Sequence, residues 1–297
     1  MARENYSQAW QGQSPKIPSS SAPFIKEILE LSSELRGEII VIKLTARIME
    51  DETLLQSAIK NIATLKETGA HIIIVHDHAN ILDETLKLFG IDKKLASGAA
   101  ITNQKTAQII EMALSGYINK KIVSALCSAG ASAIGISCKD GQLIEAKKQV
   151  SKMKAPSSIL EFGFVGEPSM VNPEILITLS ESELVIVISP VAFGPDGSTY
   201  LLDVDLTAAI IASMTTARNL VLPVNMSEVN LVGECSLTYF KTIFNQQTIT
   251  DSTRRHAEAT ISALENYVEY VHLVDEQEED TILLSILTKD CGAKISL

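Results

Sequence analysis

Cysteine is scarce in this chain. Cys127, Cys138, Cys235 and Cys291 are the only four in 297 residues, and no two stand at a CxxC or Cys/His ligand spacing. This excludes a disulfide framework and a cysteine-built zinc site, and it fits a reducing compartment. Positive charge is also short: 25 Lys and Arg face 36 Asp and Glu, for a net charge of −11. That balance is the opposite of the basic footprint of a nucleic-acid or anionic-membrane binder, so neither is expected as a partner. No apolar run approaches the roughly 18 residues of a membrane span. The start, MARENYSQAW, carries an acid and lacks the apolar stretch of a secretory signal. Arginine is too sparse in the first twenty residues for an organelle transit peptide, although SPKIPSSSAP is rich in Ser and Pro. A cytoplasmic protein is the expectation.

What is present is enough apolar material, 46% of residues, to bury the core of one large or two medium domains. Residues 1–23 are polar and proline-rich and read as a flexible arm. From 24 to 35, Phe24, Ile28, Leu31 and Leu35 fall on one stripe of an amphipathic helix that leads to Gly37. EIIVIKL (38–44) then changes the period to that of a buried strand. DETLLQSAIKNIATLKETG is a helix with an Asp start and a Gly stop, AHIIIVH a second strand, and NILDETLKLFG a helix capped by its asparagine. NQKTAQIIEMALSGYINKKIVSALCSAG predicts two helices divided near Gly116, ASAIGIS a strand, and KDGQLIEAKK a hairpin turning on Asp140 and Gly141. ELVIVISP, NLVLPV and EYVHLVD are further strands; DLTAAIIASMTTAR and TRRHAEATISALENYV are further helices. Strands apolar throughout and alternating with helices imply a mostly parallel sheet covered by helical layers.

In open parallel sheets, ligands lie beyond the carboxyl ends of the strands, where glycines let phosphate approach helix N-termini. The candidate loops are therefore 43–50, KLTARIME, and 76–80, HDHAN. Neither contains a glycine. The run His76-Asp77-His78 is not expected to hold a metal, because next neighbours on an extended turn rarely converge on one ion; it reads as a polar, solvated loop.

Several stretches together resemble the N-acetylglutamate kinases of the amino acid kinase family. They are VIKLTARIM (41–49), IIIVHDHANIL (72–82), SGAAIT (97–102), EMALSGYINKKIV (111–123), AIGISCKDGQLIEAKK (133–148), EFGFVGEPSMVN (161–172), VISPVAFGPDG (187–197) and DVDLTAAIIA (203–212). Their order and spacing cover about residues 24–297. The resemblance implies an α/β fold, a three-layer αβα sandwich with a mostly parallel sheet. It implies an N-terminal half, 24–182, that binds the acylated amino acid and dimerises, and a C-terminal half, 183–297, that is built like a nucleotide-binding unit. It also implies ATP and Mg if the chain is active, with phosphoryl transfer to a side-chain carboxylate by positioning and charge neutralisation. On the same basis Lys43 matches the lysine that contacts the phosphoryl group. Read as a bare residue, it is a lysine at a strand end. Asp205 matches the aspartate that orients the catalytic lysines, or is an acid at a helix start.

The departures from the family pattern are numerous. Thr45 and Ala46 stand where the family has a Gly-Gly pair, and Asp77, His78 and Ala79 where it has three glycines. Ala100 falls on the substrate-carboxylate arginine. Leu201 and Asp203 fall on two asparagines, and His256, or with a one-residue slip Arg255, falls on the second catalytic lysine. On the nucleotide side LPVNM brings Pro223 and Asn225. Cβ atoms at the glycine positions block close approach of backbone N–H groups. A carboxylate at Asp77 would repel phosphate by roughly 4 kcal/mol at 4 Å and an effective dielectric near 20. The loss of one preorganised donor costs about 10² to 10³ in rate. Arg47 is a stand-in for the lost arginine and Arg254-Arg255 for the lost lysine, on charge alone. Lys120 and Lys139 are retained, the latter in a structural turn.

The expectation is thus a degenerate acetylglutamate kinase-like protein with weak or no phosphotransferase activity, kept for sensing an amino-acid ligand or for assembly and needing no cofactor. The alternative is an active ATP-dependent kinase of N-acetylglutamate or a related carboxylate. The expected partners are a second copy, as homodimer or hexamer, and an active kinase. The hexamer rests on the likeness of FIKEILELSSEL to the N-terminal helix that joins dimers in arginine-sensitive members; the same helix equally reads as one packed on its own domain.

Overall fold

The β-branched apolar runs form strands buried on both faces, as their lack of alternation demands. A computed structural model of the chain describes residues 22–90, 104–148, 165–195, 197–229, 231–246, 250–288 and 291–297. The predicted arm lies outside these residues, except Ala22 and Pro23, which already belong to the first helix. In chain order the elements are α1 (Ala22–Glu34), β1 (Ile39–Leu44), α2 (Ala46–Glu50), α3 (Glu52–Glu67), β2 (His71–His76), α4 (Ala79–Leu88) and α5 (Gln104–Glu111). A π-helical segment (Met112–Ile118) joins α5 to α6 (Asn119–Ser128), followed by β3 (Ala133–Ser137), β4 (Ile144–Lys148), β5 (Val165–Val171), α7 (Glu174–Ser180), β6 (Val185–Ser189) and β7 (Val191–Phe193). The remainder is β8 (Thr199–Leu202), α8 (Val204–Met214), β9 (Asn219–Val224), α9 (Met226–Val229), β10 (Gly233–Ser236), α10 (Leu237–Gln246), α11 (Asp251–Glu265), β11 (Tyr270–Asp275), α12 (Thr281–Leu287) and β12 (Ala293–Ser296).

Eight strands make one sheet in the order β10-β12-β11-β9-β1-β2-β6-β3. Every pairing is parallel except β11 with β12. The expected α/β sandwich is therefore present, with β1 at the middle between β9 and β2. Alternate side chains of the central strands feed two cores. Ile40, Ile42, Leu44, Ile72 and Ile74 face the layer of α3 and α6, and Val41, Ile73 and Val75 face that of α8 and α11. Each such fully buried side chain contributes about 1.5–3 kcal/mol.

Caps set the helix bounds where the sequence offers them. Asp51 accepts from Thr53 and Leu54 N–H to start α3, and Gly69, at φ 90°, ends its last turn in a conformation that suits glycine. Three local expectations fail. Asn80 does not cap α4: that helix starts one residue earlier, behind His78, whose side chain makes no capping bond. Gly116 does not divide two helices, because the widened π turn absorbs it and the helical path runs from Gln104 to Ser128. The turn at Asp140 and Gly141 is not a hairpin. β3 pairs with β6, whereas β4 leaves the main sheet and joins β5, β8 and β7 in a small closed barrel.

One close approach fixes the β3 edge. Buried Asn119 donates to the carbonyls of Ile136, at 3.3 Å, and Val187, at 3.0 Å, so it ties α6 to two adjacent strands. A Cβ at Gly135 would lie 1.8 Å from Asn119 Oδ1 and 2.7 Å from Lys120 Nζ. Gly135→Ala is therefore expected to lower stability by about 1–3 kcal/mol, read as a lower urea midpoint at unchanged m-value. Gly116→Ala, with open space around the added methyl, should be neutral or slightly stabilising.

Candidate functional site

Lys43 is the penultimate residue of β1, and its side chain emerges on the face covered by α8 and α11. Its Nζ donates to Asp205 Oδ1 at 2.6 Å, with side-chain exposures of only 4% and 7%. Asp205 sits in the first turn of α8. Lys43 and Asp205 therefore meet across 162 residues, and the strand-end and helix-start readings of the two residues are both right and both incomplete. Nζ also lies 3.2 Å from His256 Nε2 on α11, and His256 Nε2 is 3.6 Å from Asp205 Oδ1.

Of the two alternatives at residues 255 and 256, His256 points inward, while Arg255 Nε turns to Asp203 Oδ2 at 3.3 Å. An ammonium can only donate, so His256 Nε2 accepts, and the ring is the neutral tautomer protonated on Nδ1. Burial first and the Lys43 charge second push the His256 pKa down to about 4. Burial opposes the charge on Lys43 as well, but Asp205, Asp77 and Asp203 outweigh it and hold the pKa above the ordinary lysine value.

Asp203 is the N-cap of α8, accepting from Leu206 N–H at 3.0 Å. Burial and then Asp205 raise its pKa. Thr45 caps α2 with its hydroxyl and keeps an ordinary extended backbone, φ −76° and ψ 160°. The loop after β1 has thus become a short helix that needs no glycine. Asn225, just past β9, folds into a local turn in which its Oδ1 accepts from Ser227 N–H and Oγ.

The stretch 76–78 is not the solvated loop that its composition suggests. His76 is fully buried and faces the α6 side, where its Nδ1 donates to the Asp77 carbonyl at 2.9 Å and its Nε2 lies 3.4 Å from Asn119 Nδ2. Burial pushes its pKa down to about 4. Asp77 faces the opposite side, toward Lys43, and its Oδ1 accepts from the ring and the backbone N–H of His78. Burial would raise the Asp77 pKa, yet His78 and Lys43 together hold it well below the usual carboxylate range. Lys139, expected to be structural, bonds Glu111 at 2.7 Å and Thr199 at 2.8 Å through its Nζ, and the retained Lys120 bonds the Gly135 carbonyl at 2.7 Å.

A cavity of about 310 Å³ opens beyond the strand ends, with Lys43, Asp77, Asn225 and His256 among its lining residues. That is the lower end of the range for small-molecule sites. Arg47 is at its rim, half exposed and 3.5 Å from Asp51. Ala100 lies outside the described residues. Sequence reasoning missed Glu228 and Glu276, both of which line the cavity. Glu228 accepts from the hydroxyls of Thr250 and Thr253. The Glu276 pKa is raised by burial, against the Thr45 hydroxyl and Lys43, with Asp275 and Asp77 adding to the rise. Glu276 follows strand β11 directly, so the strand-end rule applied to EYVHLVD would have found it.

Comparison with known proteins bears on this geometry. Residues 38–275 match the amino acid kinase family. The chain is similar to acetylglutamate kinase of Bartonella bacilliformis, 32% identical over 282 residues that cover 92% of this chain and 94% of that protein. It is also similar to the Archaeoglobus fulgidus enzyme of the same name, at 31% identity and 89% and 94% coverage. In three dimensions it resembles N-acetylglutamate synthase from Neisseria gonorrhoeae, with a TM-score of 0.73 and 18% identity; 93% of this chain spans 63% of that one. Carbamate kinase from Giardia lamblia gives 0.63 at 12% identity, covering 88% of this chain and 98% of that one. At these identities the structural likenesses show the fold.

The buried histidines carry a pH signature. His76 and His256 titrate near 4, and His272 is pushed down to about 3, by burial first and Lys294 second. Each binds a proton in the unfolded chain near 6.5 and resists it in the fold. Their stability contribution is therefore complete above about pH 6.5 and is lost as the pH falls toward 4, by about 1–3 kcal/mol apiece. Urea unfolding at pH 7.5, 6 and 5 should show this decline, and His256→Gln should make it shallower.

Proposed function

The chain belongs to the amino acid kinase family, and we propose that within it this protein is an acetylglutamate kinase-like member with weak or no phosphotransferase activity, kept for binding a small amino-acid ligand or for assembly. The observation that carries the reading is the contact between Lys43 and His256. Phosphoryl transfer needs fixed positive charge around the moving group. At the family's second lysine position this chain has a neutral ring that accepts a hydrogen bond from the first. Thr45, Ala46, Asp77 and His78 supply side chains where glycine amides would cradle phosphate. The cavity is lined by the cations Lys43 and Arg47 against the carboxylates Asp77, Glu228 and Glu276, so its own charge sums to −1. ATP with Mg fits that lining poorly.

Assembly is supported by α1, which turns Phe24, Ile25 and Leu29 to solvent. A homodimer or hexamer, or a mixed complex with an active kinase, would cover them; a monomer by light scattering would count against this. Among the described residues no helix is long and apolar enough to cross a membrane, and a cytoplasmic location is part of the same proposal.

A second reading has its own support in the intact Lys43–Asp205 pair and the 32% identity to a named acetylglutamate kinase. In it the chain is an ATP-dependent kinase of arginine biosynthesis, with Lys43 against the transferred phosphoryl group. Calorimetric titration with MgATP, together with ADP release in the presence of N-acetylglutamate, separates the two. No nucleotide binding up to millimolar concentration and no turnover are expected; micromolar binding with turnover would overturn the low-activity reading. On the low-activity reading, Lys43→Ala should change no activity but lower stability by about 3–5 kcal/mol, because Asp205 is left buried and unpaired.

A further inference from the structure

Asp77 is the residue whose presence the cleft explains least as a phosphate site and most as something else. β1 and β2 run parallel with Lys43 opposite Val75 and Leu44 opposite His76. Asp77 continues that register: its N–H donates to the Leu44 carbonyl at 2.9 Å. Side chains alternate along a strand, so Val75 and Asp77 leave on the same face as Lys43, whose Cα is one strand over and two residues back, about 8 Å away. A lysine side chain spans most of that gap, and both residues line the same cavity. His78 holds the carboxylate from the other side through its backbone N–H at 2.7 Å and its ring Nδ1.

We propose that Asp77 is the resident anion of this cleft: its carboxylate, aimed at Lys43 by the strand register and held by His78, takes the place of a phosphate oxygen and so sets the site's specificity against phosphorylated ligands. This rests on the low-activity reading above and gives it a cause. The charges that face Asp77 agree. Lys43 attracts it from β1, His78 contacts it from the cap of α4, and Glu276 repels it from beyond β11. The field of Lys43 is therefore already answered by Asp205 and Asp77, and a phosphate would have to displace or approach a fixed carboxylate. The ligands left to the cleft are small molecules without a phosphate, a neutral or zwitterionic amino acid among them.

Asp77→Asn keeps the shape and removes the charge. Titration of the full chain and of this variant with inorganic phosphate and with pyrophosphate, at one low ionic strength, tests the proposal. The wild type should give no binding up to millimolar concentration, and the variant should gain at least about tenfold in affinity, as expected from deleting one nearby like charge. Phosphate should raise the thermal midpoint of the variant and leave that of the wild type unmoved. An Asp77→Asn protein that binds phosphate no better than the wild type would overturn the inference. If Asp77→Asn does not fold, Lys43→Met/Asp77→Asn removes both charges and should be more stable than Lys43→Met alone; an equal or lower stability overturns the inference too. Phosphate binding by the wild type without transfer from ATP would defeat the role of Asp77 and leave the low-activity reading intact. Turnover of MgATP by the wild type would overturn the low-activity reading and the inference together.

Discussion

The buried ion pair between Lys43 and Asp205 is the constraint around which the rest of the site is arranged. Two charges removed from water cost several kcal/mol each, and their attraction repays this only when further groups complete the geometry. Here the completion comes from His256, which accepts a second bond from the ammonium, and from Asp77 and Asp203, whose negative charge favours it. The pair also joins the middle strand to α8, and through His256 to α11, elements far apart in the chain that pack on one face of the sheet.

That arrangement has a chemical consequence. A lysine whose donors point at a carboxylate and an imidazole, with a second carboxylate on the same face, is satisfied by its own protein. The catalytic use of such a lysine depends on its being answered only when the substrate arrives, since interactions already made in the ground state do not lower the barrier. The neutral ring of His256 and the carboxylate of Asp77 act in the same direction. One gives the ammonium an uncharged acceptor, and the other sets a further negative charge on the same face.

The sheet and most helices were legible in the sequence because their signals are local. β1 and β2 are unbroken β-branched runs, α3 carries its Asp cap and Gly stop, and β6, β9 and β11 repeat the strand pattern. Lys43, Asp203 and Asp205 were legible because they sit at strand and helix ends that the family order identifies. What escaped is what depends on register or distant contact. Whether residue 255 or 256 points inward is a matter of about 100° of helix rotation, which composition does not reveal. The side on which His76 and Asp77 leave β2 depends on the pleat, and HDH therefore looked like one solvated cluster when it is two opposite-facing environments. The Asp140 turn looked like a hairpin because turn chemistry is local, whereas the choice between two sheets is made by β5, β6 and β7.

The polar residues of the cleft sit at the carboxyl ends of β1, β2 and β9, the cap of α8 and the inward face of α11. The interiors of those strands stay fully buried and apolar, and Asn119 and Gly135 still fit one another at a spacing that tolerates no side chain. Packing at these positions needs only shape and apolarity, so it is indifferent to whether a phosphate binds nearby. The cleft edge has no such independence: its polar side chains are held by partners inside the protein. Thr45 caps α2, Asp77 meets His78, and His256 accepts from Lys43. A site that had merely decayed would leave such groups unpaired at a cost of about 1–3 kcal/mol each, whereas this one is closed electrostatically around a cavity that remains open.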